Sequence, residues 1–421
     1  MTVSKNLANK GSTVRVRACA CLAAVIACLW LVTFAASAQQ DSKQQRPRRV
    51  GQSKPAARPA QTPTSPAPSS PTEPGEEVSE GDVVRVETQL VSVPTVVTDS
   101  AGHPLAGLRA ENFRIFENGQ PQAISNFATT EAPFEVALLL DTSGSTRADV
   151  QLIRRAASLF IDSLRAGDRV AIVSFNAVRE DRDTLATVEI KTPLTNDRAR
   201  LRLALDTVGT SNGTPFYDAL ERISDEVFRE PPREEVRGRR AVVALTDGVD
   251  SSSDAEFSEA RARLLRAGVT CYFIQVNTED YVEERLMRDC TDFGTLRLSR
   301  TQLQRYRKIF VPRAPAGDYN SFCQMGQFER MKISRDLYNL ARSEMVDLAR
   351  SSGGRAFEAA DLRDARAAFT EVANEIGTQY SLGYYPTNKA RDGRFRTIKV
   401  ELKGVARGAH VRAREGYYAS R

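Results

Sequence analysis

The chain has 421 residues, of which 27% are charged and 41% hydrophobic, and its formal net charge is +6. Residues 1–38 contribute four basic side chains and no acidic one, so the remainder carries a net charge of only +2. Nucleic-acid binding requires a concentrated basic face, and the charge balance therefore argues against a nucleic-acid partner.

The first 38 residues have the layout of a secretory signal peptide. Four basic residues precede or open an apolar run over residues 18–34, and Ala36-Ser37-Ala38 then provides a cleavage pattern before Gln39. This layout predicts an exported protein that is periplasmic, envelope-associated or secreted. Two alternatives stay open. One is an uncleaved anchor, since seventeen apolar residues are just long enough to span a bilayer, and the other is lipid attachment at Cys28.

Two segments with different character follow the signal region. Residues 39–82 include eight prolines and almost no large apolar side chain, so they are predicted to be a disordered linker. From residue 83 the pattern changes to β-branched, partly alternating stretches separated by turns. Residues 83–133 are therefore predicted to be a β-rich segment.

Residues 134–379 alternate short apolar strands with amphipathic helices. The continuously apolar residues 136–140 are typical of a strand buried on both faces, and residues 148–165 have apolar side chains at helical spacing. Further buried strands are predicted at 169–175, 241–245 and 269–276, an edge strand at 185–190, and further helices at 201–208, 217–228, 255–267, 337–349 and 362–376. This order predicts an α/β fold, with a doubly wound, mostly parallel sheet covered by helices on both faces.

The α/β pattern is interrupted once and then gives way to strands. Residues 279–335 are a charged, weakly periodic insertion, and residues 380–421 return to a strand pattern. Neither β-rich segment, 83–133 or 380–421, has a good core alone, and the ends of a doubly wound domain can lie close together. We therefore expect these two segments to pair into one small flanking β-sandwich.

Three polar motifs fall where ligands bind in open parallel sheets, at the carboxyl ends of strands. The first predicted buried strand ends in Asp141-Thr142-Ser143-Gly144-Ser145, a large loop carries Gly213-Thr214-Pro215, and the strand at 241–245 ends in Thr246-Asp247-Gly248. The first motif alone is weak evidence, because such a D-x-S-x-S pattern also arises by chance. All three at one predicted sheet edge form a coherent site.

These motifs, in this order, resemble the metal-ion-dependent adhesion site of the von Willebrand factor A (vWA) family. The resemblance covers residues 134–277 and 336–377, and the chain from 83 to 418 is similar to secreted bacterial vWA-related proteins; the insertion is the departure from the pattern. The resemblance implies a Rossmann-like vWA fold and a metal bound directly by hydroxyls. The implied metal-site residues are Asp141, Ser143, Ser145, Thr214 and Asp247, with the two aspartates acting through waters or by direct contact.

The chemistry of this residue set predicts a binding function. Hydroxyl and carboxylate oxygens are hard ligands that suit Mg²⁺ or Mn²⁺ rather than zinc or copper, and neutral hydroxyls leave the ion able to attract a carboxylate. We therefore predict a metal-dependent binding or adhesion module that recognises a carboxylate-bearing protein or other acidic ligand. Membrane contact is expected only through an uncleaved signal segment.

Other functions stay open beside this one. The first alternative is a structural or scaffold envelope protein whose vWA domain binds no metal. An enzyme has little support, because Ser143 lacks a G-x-S-x-G context and the chain's two histidines, His103 and His410, lie in the flanking β-rich segments.

The cysteines predict one disulfide. Beyond the signal segment the chain keeps Cys271, Cys290 and Cys323, an odd number in a compartment that permits disulfides. Cys271 lies in an apolar predicted strand, where a thiol behaves as a small buried hydrophobe. Cys290 and Cys323 both lie in the insertion, and we expect them to pair; the alternative is two unpaired thiols in a mobile loop.

Overall fold

The computed structural model describes residues 90–129, 132–143, 150–180, 183–236, 238–290 and 296–420. The predicted signal peptide (1–38) and linker (39–82) lie outside the described residues, and so does Ser145. Within the described ranges, no helix combines the length and the apolar character that crossing a bilayer requires.

Strands dominate both ends of the described chain, and strands and helices alternate between them. The strands are β1 (Val91–Thr98), β2 (Phe113–Glu117), β3 (Gln120–Gln122), β4 (Ile124–Ala128), β5 (Glu135–Leu140), β6 (Arg169–Glu180), β7 (Asp183–Thr195), β8 (Arg240–Thr246), β9 (Thr270–Val276), β10 (Ala356–Ala359), β11 (Tyr380–Tyr384), β12 (Phe395–Leu402), β13 (His410–Ala413) and β14 (Gly416–Tyr418). The α-helices are α1 (Val150–Ser163), α2 (Arg198–Asp206), α3 (Phe216–Arg222), α4 (Phe257–Arg266), α5 (Glu279–Leu286), α6 (Arg300–Phe310), α7 (Gln327–Ser352) and α8 (Ala365–Thr378).

A six-stranded sheet with the order β10-β9-β8-β5-β6-β7 forms the centre of the fold. Its strands pair in parallel except β7, which runs antiparallel to β6 at one edge. Strand β5 shows why the apolar run is continuous: Val136, Leu138 and Leu140 enter one core, and Ala137 and Leu139 enter the other. The first core is covered by α1, α2 and α8, and the second by α3, α4 and α7.

Two four-stranded antiparallel sheets combine the N-terminal and C-terminal β-rich segments. Their orders are β13-β1-β11-β4 and β14-β12-β2-β3, so both sheets contain strands from both segments. Val93 and Tyr384 of the first sheet share one apolar core with Ile115 and Val400 of the second. The predicted fold class is thus confirmed: a doubly wound, mostly parallel sheet with a flanking β-sandwich.

The insertion between β9 and β10 is helical and has a core of its own. Helices α5 and α6, two short 3₁₀ turns and the first part of α7 bury Leu286, Leu303, Phe322 and Ile333 against one another. Helix α7 begins ten residues before the helix predicted at 337–349. The prediction was wrong there because each insertion helix buries only a narrow apolar stripe, and charged side chains occupy the rest of its surface.

The insertion also holds the predicted cysteine pair. The Sγ atoms of Cys290 and Cys323 are 2.16 Å apart and their Cα atoms 5.8 Å apart, which is a disulfide. Cys271 is buried in β9 with a free thiol, and burial raises the pKa of that thiol to about 12.

We expect the three cysteines to react differently with an alkylating reagent. Without reductant, Cys290 and Cys323 should stay unmodified even in the unfolded chain, whereas Cys271 should react only after unfolding exposes it. Non-reducing peptide mapping measures this directly. Free alkylation of Cys290 and Cys323, or a crosslinked peptide that contains Cys271, would contradict the pairing.

Candidate metal centre

Two buried aspartates mark the carboxyl ends of neighbouring central strands. Asp141 directly follows β5 and is 0% exposed, and Asp247 directly follows β8 and is 3% exposed. The Asp141 backbone N–H donates to the Leu245 carbonyl over 3.0 Å, which holds the two strand ends together. The topology predicted from sequence therefore brings the two carboxylates to one sheet edge.

Hydrogen bonds from the chain fix the orientation of both carboxylates. Asp141 Oδ1 accepts from the Ser143 backbone N–H at 2.9 Å, and Asp141 Oδ2 accepts from the Thr246 hydroxyl at 2.6 Å. Asp247 Oδ2 accepts from the Thr278 hydroxyl at 2.8 Å. That hydroxyl in turn accepts from the Tyr338 hydroxyl at 2.5 Å, because its own proton is directed to Asp247. Each carboxylate is thus held in a fixed orientation by hydrogen-bond donors of the chain.

The local electrostatics favour a cation. Burial, together with the nearby charge of Asp247, raises the pKa of Asp141 to about 7. Burial also raises the pKa of Tyr338 well above its usual value, and the charge of Asp247 acts in the same direction. A cation at this edge would neutralise the carboxylates and oppose both effects.

Thr214 is positioned by reciprocal bonds with the loop that follows Asp247. Its backbone N–H donates to the Ser251 hydroxyl at 2.8 Å, and the Ser251 backbone N–H donates to the Thr214 carbonyl at 3.0 Å. One residue before Ser251, Asp250 Oδ2 accepts from the backbone N–H groups of Phe216 and Tyr217 at 2.9 and 3.2 Å. Asp250 therefore satisfies the first donors of α3 and fixes the chain next to Thr214.

The third motif requires its glycine. Gly248 has a φ of +76°, and a Cβ on it would lie 2.4 Å from Cε of Met345. Its backbone N–H donates to the Thr246 hydroxyl at 2.8 Å, the same hydroxyl that orients Asp141. The Thr246 hydroxyl thus links the tight turn after Asp247 to the carboxylate of Asp141.

The structure brings together four of the five predicted metal-site residues. Ser143, Thr214 and Asp247 line one pocket of about 130 Å³, and Asp141 accepts a hydrogen bond from the backbone N–H of Ser143. The fifth, Ser145, lies outside the described residues. Both histidines lie in the β-sandwich region, His103 beside Asp99 and His410 on β13, and neither lines this pocket.

The donor set at this edge fits a hard divalent cation. Across the described part of the chain, no three His, Cys, Asp or Glu side chains cluster as a metal site. An ion here would therefore need the hydroxyls of Ser143 and Thr214 in addition to the carboxylates of Asp141 and Asp247. Oxygen-only ligands of this kind suit Mg²⁺ or Mn²⁺.

Comparison with known proteins identifies the central sheet and its helices. The family described as the von Willebrand factor type A domain matches residues 135–292, which include β5 to β9 and the three motifs. The chain contains a vWA domain. Domains of this family are generally binding or interaction modules. The match ends within the insertion, so most of the insertion and the β-sandwich lie beyond it.

The solved structures that match this chain share little sequence with it. Proximal thread matrix protein 1 from the mussel byssus is 17% identical, with a TM-score of 0.37 over 68% of this chain and 50% of that protein. BatB, a conserved hypothetical protein from Bacteroides thetaiotaomicron, is 16% identical, with a TM-score of 0.34 over 58% of this chain and 97% of its own. A von Willebrand factor type A protein from Catenulispora acidiphila is 12% identical, with a TM-score of 0.35 over 79% and 74%.

These similarities carry no information about a ligand or partner. The chain spans half the length of the mussel protein. No curated protein matches its sequence significantly.

Several residues of the site region were missed by the sequence reasoning, among them Asp250, Arg305 and Tyr338. Asp250 holds α3 beside Thr214, Arg305 of α6 donates to Asp250 Oδ1 at 2.8 Å, and Tyr338 of α7 reaches Asp247 through Thr278. Asp250 follows Asp247 by three residues, which is a signal that could have been noticed. The roles of Arg305 and Tyr338 depend on how α6 and α7 pack against the central sheet and its loops, and no local pattern reveals that.

Proposed function

We propose that this chain is an exported, metal-dependent binding module whose vWA domain captures a carboxylate of a partner. Asp141, Ser143, Thr214 and Asp247 would hold Mg²⁺ or Mn²⁺, and Ser145 would complete the set. The bound ion would supply a positive charge and an open coordination position. The observation that carries the proposal is the burial of two carboxylates, with two hydroxyl residues beside them, at one sheet edge.

In this proposal the residues of the chain have different roles. Thr246 and Thr278 hold the two carboxylates in fixed directions, so that they present oxygens without reorganising. Ser143 and Thr214 are neutral, so an ion that they bound directly would keep its affinity for an anionic oxygen, with Asp141 and Asp247 acting through waters. A partner carboxylate would bind the ion at its open position, so recognition would favour acidic groups.

A metal-dependent retention experiment tests the proposal. The purified chain is immobilised and exposed to an envelope extract in Mg²⁺ or in EDTA, beside a Thr214→Ala variant. We expect one set of partners to be retained by the wild type in Mg²⁺ and lost both in EDTA and in the variant. Blocking the carboxyl groups of the retained partner with an amide should abolish its retention. Equal retention under all conditions would instead favour the scaffold function.

Export is tested separately by cell fractionation and N-terminal sequencing. The proposal expects the chain outside the cytoplasm with Gln39 as its first residue, because the cleavage pattern ends at Ala38. A cytoplasmic chain with an intact N-terminus would contradict this part of the proposal and leave the metal site untouched.

A further inference from the structure

The insertion carries a large share of the positive charge of this chain. Residues 297–336 contain nine basic side chains and three acidic ones, Asp318, Glu329 and Asp336, which is a net charge of +6 in 40 residues. Beyond the predicted signal peptide the chain carries only +2, so its other residues from 39 onward carry −4. A positive charge concentrated in this way attracts anionic surfaces.

Helices α6 and α7 lie side by side and run in opposite directions. The Lys332 ammonium of α7 donates to the Tyr306 hydroxyl of α6 at 3.3 Å. Nearer the candidate metal site, Gln302 of α6 lines the same pocket as Tyr338 of α7. Going forward along α6 therefore corresponds to going backward along α7. The end of α6 and the beginning of α7 lie together, at the end of the helix pair that is farther from the metal site.

This far end exposes three large apolar side chains. Phe310 lies one turn after Tyr306 and stacks on it, with ring centroids 5.0 Å apart. Phe328 lies one turn before Lys332 on α7. Ile309 is 44% exposed, Phe310 39% and Phe328 78%. We call these three residues the insertion tip. A cluster of exposed large apolar residues marks an interaction surface.

Exposed basic side chains accompany the insertion tip. Lys308 and Arg313 lie on either side of the end of α6, and Lys332 lies on α7. Lys308 pairs with Glu256 at 2.7 Å. Lys332 pairs with Asp336 at 2.6 Å. Exposed ion pairs of this kind are weak, so both lysines remain available to another anion.

These features together fit the surface of a membrane that contains anionic lipid. Phe328 protrudes, so a rigid partner would need a matching pocket for its ring, whereas a fluid headgroup layer accommodates it. Aromatic side chains that enter the headgroup region, beside basic residues that attract anionic lipid, are typical of proteins that lie on a bilayer. We propose that the insertion tip docks this chain on an anionic bilayer, with its apolar side chains in the headgroup region and the neighbouring cations at the lipid phosphates.

Vesicle binding tests this docking without involving the metal site. The purified full-length chain is mixed with vesicles of phosphatidylcholine alone, or of phosphatidylcholine with phosphatidylglycerol, in EDTA so that no divalent ion bridges protein and lipid. We expect binding to be at least about fivefold stronger with phosphatidylglycerol, which is the effect of one basic residue at an anionic surface. High salt should weaken it, because exposed cations are screened.

Matched substitutions assign the binding to the insertion tip. Phe328→Ser should weaken binding to phosphatidylglycerol vesicles about tenfold, because it removes a ring from the headgroup region. Arg313→Glu should weaken it at least about fivefold. Leu203→Ser on α2 and Arg407→Glu between β12 and β13 make the same kinds of change at exposed positions outside the insertion, so both should bind as the wild type does. Because all four residues are exposed, the variants should fold.

A tryptophan at the insertion tip gives a local readout. The one tryptophan of the chain, Trp30, lies in the predicted signal segment, so the emission of Phe328→Trp is measured as the difference from the parent chain. We expect this emission to shift to shorter wavelength with phosphatidylglycerol vesicles and to be quenched by brominated lipid. Leu203→Trp should show neither change. A shift at the tip supports the proposal even where the signal segment itself binds vesicles and masks the differences in binding.

Several results would overturn the proposal. One is equal vesicle binding by the tip variants and their controls, together with unchanged Phe328→Trp emission. Another is a Phe328→Trp emission that responds to polyglutamate but not to vesicles, which would assign the tip to an acidic protein surface. A third is a dimer that sediments without vesicles and is lost in Phe328→Ser, which would assign the tip to a second copy of this chain. Because all measurements are made in EDTA, none of these results contradicts the proposed metal-dependent function.

Discussion

Replacing Asp250 with alanine should lower the free energy of unfolding by about 3–5 kcal/mol, the range for breaking one side of a buried ion pair. The Asp250 side chain is 0% exposed and its partner Arg305 is 10% exposed. The substitution would leave the guanidinium buried without its carboxylate. It would also remove the acceptor for the backbone N–H groups of Phe216 and Tyr217, which begin the helix after Thr214.

The same substitution should weaken Mg²⁺ binding, because Thr214 would lose its fixed position. Urea unfolding with and without Mg²⁺ measures both effects. Asp254→Ala is the matched control: Asp254 lies four residues further along the same loop and is exposed, so its removal should change stability by no more than about 0.5 kcal/mol. Equal effects of the two substitutions would contradict the positioning role of Asp250.

Replacing Gly354 with alanine should destabilise the fold by about 3 kcal/mol or more, at the upper end for an overpacked position. A Cβ on Gly354 would lie 1.9 Å from the Cys271 carbonyl oxygen and 2.7 Å from its carbonyl carbon. These are backbone atoms of central strand β9, so they cannot move aside as a flexible side chain would. The chain passes this close because α7 must turn sharply into β10, which pairs with β9.

Gly317→Ala provides the control for that experiment. Gly317 is exposed, and a Cβ there would meet no atom within 4 Å. Alanine should be neutral or raise the free energy of unfolding by about 0.4–1 kcal/mol, since it restricts the unfolded chain. Thermal unfolding of both variants, measured at one pH, compares their stabilities. A Gly354→Ala protein as stable as the control would mean that α7 and β9 are further apart than described.

The parts of the fold that were predictable depend on short-range patterns. The apolar run of β5 revealed a strand between two layers because its residues alternate between two cores, Leu138 in one and Leu139 in the other. Asp141 and Asp247 were predicted to meet because both directly follow parallel strands. These conclusions require only local sequence and the geometry of a parallel sheet.

The parts that were missed depend on contacts between distant residues. Asp250 acts on α3, 34 residues away, and on Arg305, 55 residues away, so neither bond leaves a periodic signal. The insertion looked weakly ordered because its helices are mostly charged, yet Leu286 and Ile333 join one small core. Its placement beside the candidate metal site follows from tertiary packing and could not be predicted from spacing.

Calorimetric titration of Mg²⁺ into the purified chain tests the metal site most directly. We predict one Mg²⁺ bound per chain in the wild type, and affinity at least about 100-fold weaker in Ser143→Ala and Asp141→Asn, beyond what residues that only orient ligands usually cause. Ser252→Ala, which removes a hydroxyl from the loop after Asp247 but no predicted ligand, should bind as the wild type does. Wild-type protein that binds no Mg²⁺, or Ser143→Ala and Asp141→Asn proteins that bind it as tightly as the Ser252→Ala control, would contradict the assignment.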